Sequence, residues 1–200
     1  MVESHGSRFT LLFGYVFCLA AFLVMLVLWD ENASYLVVGL AYLLMGIGVG
    51  LAGTPASRSL TGSVPVKRAG MASGTADLQR DLGGAILQSI CGALLTAGYA
   101  ASFAKSIATS PHGSEVSEKV QNELTKSFSS AAETAKQYPE YAPQIVAAAR
   151  QSFLDGGDWT YAAGAFAVLV GAAVVFFLFP RHDIEQALLE RYRAEDAGAG

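Results

Sequence analysis

Residues 9–29 read FTLLFGYVFCLAAFLVMLVLW, a run without a charged side chain that ends on Trp29. A helix crosses the hydrocarbon core of a bilayer with about 20 apolar residues. Tryptophan is common where such a helix reaches the headgroups. The apolar core of a secretory signal is shorter, about 7–15 residues. This run therefore predicts a retained membrane-spanning helix.

Three further apolar stretches of similar length follow, at residues 35–53, 82–103 and 159–179. Only 15% of the residues are charged, whereas soluble domains carry about 25%. The alternative is a soluble protein with four buried core helices, but uncharged runs of this length favour spans. The sequence thus predicts an all-α fold, a polytopic transmembrane helical bundle with four spans whose surroundings are the lipid bilayer.

Other classes of protein find little support. The formal net charge of −4 offers no basic surface for nucleic acid. The three histidines lie far apart, so no metal site or cofactor is expected, and Cys18 and Cys91 fit small buried hydrophobes in apolar runs. Since no nucleophile–base pair or phosphate loop is visible, we do not expect an enzyme.

Basic residues on short loops predict the orientation. They precede the first span, occupy loop 54–68 and follow the fourth span, whereas the turn after Trp29 is acidic. We therefore expect a multi-pass plasma-membrane protein with both termini cytoplasmic. Residues 1–104 would hold three spans with cytoplasmic loop 54–68, residues 105–158 an extracytoplasmic, partly helical loop, residues 159–180 the fourth span and residues 181–200 a cytoplasmic tail.

The polar segment 105–158 shows loose helical periodicity. Val116, Val120, Leu124 and Phe128 recur at intervals typical of an amphipathic helix, and a second helix is predicted from 141 to 153. The segment is interpreted as a solvated connector, with a lid or partner site as the alternative. A short surface helix is predicted at 183–196.

The second span is rich in glycine near its end. Gly46 and Gly50 lie one turn apart, which permits close approach of another helix, and Pro55 bends or ends the helix. The simpler interpretation is helix packing; the functional one adds a seam between moving helices.

The third span begins in a longer helix that starts near residue 67. Gly70 and Gly74 form a small-residue face on it, and Gly83 and Gly84 are further candidates for helix packing. Asp77, Arg80 and Asp81 follow at i, i+3 and i+4, so they share one side. They form either a structural ion cluster or part of a polar pathway for substrate or protons. Gln88, the one amide in the apolar run, is a further candidate for transport or gating.

These residues resemble the fourteen-helix drug:proton antiporter branch of the major facilitator superfamily. The resemblance lies in the run Ala72-Ser73-Gly74, in Arg80 and in the pair Gly83-Gly84. Leu87 and Asp77 depart from the pattern, which has a further glycine and a neutral amide there. The resemblance extends over the four spans in order and matches the last four of fourteen helices.

What the resemblance implies is a C-terminal fragment of a proton-coupled multidrug efflux permease. The complete protein would export small amphipathic compounds by alternating access, using protons and the missing N-terminal helices. The alternative is a four-span membrane scaffold that binds a partner through segment 105–158 and does not transport.

Overall fold

The chain is all-helical. The computed structural model describes residues 2–62, 64, 68–111, 113, 116–179 and the single residues 184, 187, 190 and 194, with backbone only at 2–5 and 58–62. Within that part there is no strand, and the longer helices are α1 (Val2–Leu28), α2 (Tyr35–Gly62), α3 (Ala69–Thr109), α4 (Glu118–Lys126), α5 (Phe128–Gln137) and α6 (Ala142–Leu178). Four stretches are long and apolar enough to cross a membrane: Gly6–Leu28, Tyr35–Ser57, Ala69–Thr109 and Ala142–Leu178. The predicted fold class is confirmed.

A tight polar turn separates α1 from α2. The Asp30 carboxylate accepts the N–H of Asn32 at 2.8 Å, an Asx turn that satisfies the backbone where α1 has ended. The Ser34 hydroxyl accepts the N–H of Val37 at 3.4 Å and so caps the start of α2. The polar turn is thus built by its own side chains.

Helix α2 does not end at Pro55. It continues to Gly62, although proline removes one backbone donor. The Pro55 ring is buried, so packing offsets the lost hydrogen bond. The Thr54 hydroxyl donates to the carbonyl of Gly50 at 3.2 Å. The connection to α3 is consequently shorter than the predicted loop 54–68.

Helices α3 and α6 are longer than a bilayer requires. Their 41 and 37 residues correspond to about 62 and 56 Å, against about 30 Å of hydrocarbon. Helix α6 begins at Ala142, with Pro143 in the first turn where its missing donor has no cost. It then runs through Trp159 without a break. The second helix predicted at 141–153 is therefore the first part of the last span's helix.

The described contacts fall into two units. Unit 1 comprises Met1–Leu23, Gly39–Leu87 and Ala165–Gly200; unit 2 comprises Val24–Val38 and Gln88–Gly164. In unit 1, α1 and α2 meet at Gly14 and Gly48. A Cβ at Gly14 would stand 2.8 Å from the Gly48 oxygen, and one at Gly48 would stand 2.5 Å from the sulfur of Cys18. Only glycine allows these two backbones to approach so closely.

Helix α1 also contacts α6 within unit 1. The Arg8 guanidinium donates to the carbonyl oxygen of Phe176 and lies 4.9 Å from the centre of that ring. Gly6 adopts φ 83° and ψ 160°, a conformation that is essentially restricted to glycine. The resulting kink separates the first residues of α1 from its apolar part.

In unit 2, α3 and α6 meet at Gly98 and Gly156, and α4 packs beside them. The Tyr99 hydroxyl donates to the carbonyl of Leu124 at 2.9 Å, which ties α3 to α4. The buried hydrophobic cluster of this unit is Tyr99, Phe103, Leu124, Ala131 and Ala149.

The predicted amphipathic helix is divided into two. Leu124 is buried, and Val116 and Val120 pack against the cluster around it. Ser127, however, is extended at φ −168° and ψ 161°, and its side chain accepts the N–H of Ser130 to start α5. Phe128 therefore opens a new helix. The tail helix predicted at 183–196 lies outside the described residues apart from 184, 187, 190 and 194.

Candidate functional site

The charged side chains predicted on α3 lie on its surface. Arg80 donates from Nη2 to Oδ1 of Asp77 at 2.5 Å, and these side chains are 75% and 56% exposed. Asp81 is also exposed. An exposed pair of this kind contributes about 0–1 kcal/mol to stability, so the fold does not depend on it. The structure thus brings Arg80 to Asp77, and a role of either in transport stays a prediction.

Among the described helices, none packs over the stretch of α3 that carries these charges. Residues 77–90 are exposed around the whole circumference, including Gln88 and the apolar side chains Leu78, Leu82 and Ile86. An apolar helix exposed on all sides must meet lipid or further protein in a membrane. A helix that packed on this surface would therefore change the surroundings of Asp77, Arg80, Asp81 and Gln88.

The glycines predicted to pack against another helix are open in this chain. A Cβ at any of them would meet no atom of the described residues within 4 Å: Gly46, Gly50, Gly70, Gly74, Gly83 and Gly84. In the described part of the chain the close helix contacts are instead made by Gly14, Gly48, Gly98 and Gly156. Packing at Gly46 and Gly50 stays a prediction that concerns a helix beyond the described residues.

Sequence reasoning missed the glycines that carry the observed contacts. Gly48 and Ala52 form a small-xxx-small pair offset by two residues from the predicted pair Gly46 and Gly50. Both pairs satisfy the same pattern, so spacing alone does not choose between them. What distinguishes them is the facing residue Gly14, which lets α1 approach Gly48.

A polar contact joins α3 and α6 in unit 2. The Ser102 hydroxyl donates to Oδ2 of Asp155, and the Gln151 amide donates to Oδ1 of the same carboxylate at 2.8 Å. Hydrogen bonds to a charged group are stronger than neutral ones. Asp155 was not a candidate in the sequence because its segment was interpreted as a connector. Its partner Ser102 lies 53 residues away.

A cavity of about 300 Å³ lies in unit 2, between the last turns of α3, α4 and the first turns of α6. Its apolar wall includes Phe103, Ile107, Val120, Leu124 and Ala148. Its polar lining consists of Ser106, Ser110, Ser117, Tyr138, Tyr141 and Gln144. Most of the wall belongs to, or packs against, the buried cluster of the unit. Segment 105–158 therefore contributes most of the lining of this cavity, and its role as a connector, a lid or a partner site stays a prediction.

Comparison with known proteins supports a transport setting. The chain is 28% identical over 169 residues to the multidrug efflux pump LfrA of Mycolicibacterium smegmatis. The match covers 84% of this chain and 32% of LfrA, so the chain spans only part of that protein's length. No family model and no solved structure matches the chain.

Proposed function

We propose that this chain is the C-terminal part of a proton-coupled multidrug efflux permease that exports small amphipathic compounds by alternating access. The observation that carries the proposal is the similarity to a multidrug efflux pump over 84% of the chain. The four helices that are long and apolar enough to span a membrane support it. Further helices, corresponding to the part of LfrA outside the match, complete the permease in this proposal.

The exposed face of α3 supports such a partnership. A charge at the centre of a spanning helix costs about 2.5–3.5 kcal/mol on insertion scales. Arg80 lies two residues before the uncharged run that begins at Leu82. Near the end of the uncharged run, the Arg80 guanidinium reaches either the lipid headgroups or a vestibule lined by protein. In this proposal the further helices of the permease cover residues 77–90 and form that vestibule.

Alternating access requires an element with two arrangements. Arg80 is paired with Asp77 in the structure. Asp81 directly follows Arg80 in the chain, and its side chain is exposed. In the proposed cycle Arg80 exchanges Asp77 for Asp81 or for a carboxylate of the remaining helices. Protonation of the released carboxylate couples the exchange to proton entry, and Gln88 offers a hydrogen-bonding group along the same helix.

The proposed orientation places both termini in the cytoplasm and α4 and α5 outside the plasma membrane. The short-loop basic residues support this orientation, because positive charge near span ends is retained on the cytoplasmic side.

A four-span scaffold that binds a partner through segment 105–158 is the competing function. The folded α4 and α5 and the cavity beneath them favour it, because a connector without a task needs no packed core. A scaffold predicts that binding through this segment matters and that no drug export depends on the chain.

The test is co-expression of the chain with an N-terminal piece that supplies the remaining helices, in cells lacking their own efflux pumps. We expect accumulation of rhodamine 6G to fall only when both pieces are present, and a proton uncoupler to restore it. Each piece expressed alone is the control. Normal insertion of both pieces with no change in accumulation would reject the transporter and favour the scaffold.

A further inference from the structure

The cavity of unit 2 borders the core of that unit on one side and is open to the surface where Tyr138, Tyr141 and Gln144 are exposed. Phe103 and Leu124, on two of its walls, are 2% and 4% exposed. The hydrogen bond from the Tyr99 hydroxyl to the carbonyl of Leu124 holds α4 against α3. A ligand therefore meets a formed site, and little ordering of the protein opposes its binding.

The described lining is uncharged: no Asp, Glu, Lys or Arg is among the described residues that line the cavity. A charged ligand would lose hydration there without gaining a counter-charge from these residues. An uncharged compound instead finds apolar walls together with hydroxyl groups and the Gln144 amide. Ser117 accepts the N–H of Val120, which leaves its own O–H to donate.

The volume limits the size of the ligand. Small-molecule sites have volumes of about 300–1,000 Å³, and this cavity of about 300 Å³ lies at the lower limit. It therefore suits a compound of one or two rings with a hydrogen-bond acceptor at one end.

The position of the cavity favours a ligand that arrives from water. Ala148 precedes Trp159 by eleven residues in one continuous helix, which is about 16 Å along its axis. Ile107 and Ser110 lie beyond the uncharged run that ends at Phe103. Apart from Phe103, the lining residues of α3 and α6 thus lie outside the uncharged runs 82–103 and 159–179.

We propose that this cavity is a binding site for small, uncharged, amphipathic ring compounds. The ring packs between Phe103, Ile107 and Ala148, and its acceptor atom bonds to hydroxyl or amide donors of the lining. The site is separate from the charged residues of α3. Its described lining residues all belong to this chain, so binding can be measured without transport.

The experiment measures protection of an introduced cysteine at the cavity. Ser110→Cys is made in a chain carrying Cys18→Ala and Cys91→Ala, purified in lipid nanodiscs. Its reaction with a water-soluble methanethiosulfonate is timed with and without 2-acetylnaphthalene. Ser129→Cys, exposed on α5 and outside the lining, is the matched control. The charged comparison compounds are naphthalene-2-sulfonate and 2-naphthyltrimethylammonium.

We expect 2-acetylnaphthalene to slow the reaction at position 110 saturably, by about tenfold at a free concentration about nine times the dissociation constant. The charged naphthalenes should leave it unchanged, as should all compounds at position 129. Absence of protection, or equal protection by charged and neutral compounds, overturns the proposal. A cysteine already shielded in nanodiscs without probe, and reactive in detergent, would show a lipid chain as occupant and overturn it as well.

Two neighbouring alanines of α6 provide a test by cavity filling. Ala148 lines the cavity, whereas Ala147 is exposed and does not. Ala148→Phe should abolish protection, and Ala147→Phe should preserve it. Because Ala148→Phe adds volume beside a core, Gln144→Trp serves as a second filling variant at an exposed lining position. Retained protection in a folded filling variant contradicts the proposed site.

Discussion

The Cα atom of Gly156 lies only 2.8 Å from the place where a Cβ of Gly98 would stand. The relationship is reciprocal, because a Cβ at Gly156 would stand 2.6 Å from the carbonyl oxygen of Leu95. Helices α3 and α6 therefore cross with their backbones in contact. This crossing positions the outer turns of both helices, which form two walls of the cavity.

Replacing Gly156 tests how much the crossing contributes to stability. Gly156→Ala should lower the free energy of unfolding by about 1–3 kcal/mol, since the added methyl meets backbone atoms that cannot rotate away. Circular dichroism during thermal unfolding in detergent measures the change. Gly92→Ala is the control, because a Cβ at Gly92 meets nothing within 4 Å and alanine favours helix. Equal stability of the two variants would contradict the close crossing.

A pair of leucine substitutions in α2 separates internal packing from packing against further helices. Gly48→Leu should destabilise the chain, because its Cβ would stand 2.5 Å from the sulfur of Cys18. Gly46→Leu should not lower the unfolding midpoint of the chain alone, because the described residues leave the space around Gly46 open and leucine favours helix over glycine. In the two-piece transporter, Gly46→Leu should instead weaken co-purification of the pieces. Unchanged co-purification would indicate that the Gly46 face meets lipid.

Arg80 variants test the proposed exchange of ion pairs. Arg80→Ala and Arg80→Lys should both insert, since the exposed pair with Asp77 adds little to stability. Arg80→Ala should lose drug export in the two-piece transporter. If the planar guanidinium with its several donors is required, Arg80→Lys loses export as well. Full export by both variants would reduce Arg80 to a headgroup anchor.

The orientation is tested by cysteine labelling in intact cells, in a background lacking Cys18 and Cys91. A membrane-impermeant maleimide should label Ser129→Cys on α5 and should not label Ser73→Cys near the start of α3. The reason is the basic charge near the start of α3, which is retained in the cytoplasm. Permeabilised cells control for the reactivity of position 73. The reverse labelling pattern would invert the topology.

Individual residues show how far local pattern reaches. The apolar run at 9–29 predicted a spanning helix because the hydrophobic requirement of a bilayer is read directly from composition. The same logic begins the fourth span at Trp159 and predicts a separate helix at 141–153, whereas one continuous helix, α6, runs from Ala142 to Leu178. The polar residues just before Trp159, which include Asp155 and Asp158, indicate an interruption that α6 does not have. The break at Ser127 depends on a backbone conformation that hydrophobic spacing does not encode.

The sequence by itself determined the all-α class, the four apolar helices and the shared helical side of Asp77 and Arg80, because each depends on residues near one another along the chain. Only the tertiary structure decided that Gly48 and not Gly46 meets α1, that the Asp155 carboxylate accepts a hydrogen bond from the Ser102 hydroxyl, and that segment 105–158 lines a partly open cavity together with Phe103. Each of these features joins residues that are distant in sequence. Many glycines and serines satisfy the same local pattern, and the choice among them is made by which backbone lies opposite, a property of the packed helices.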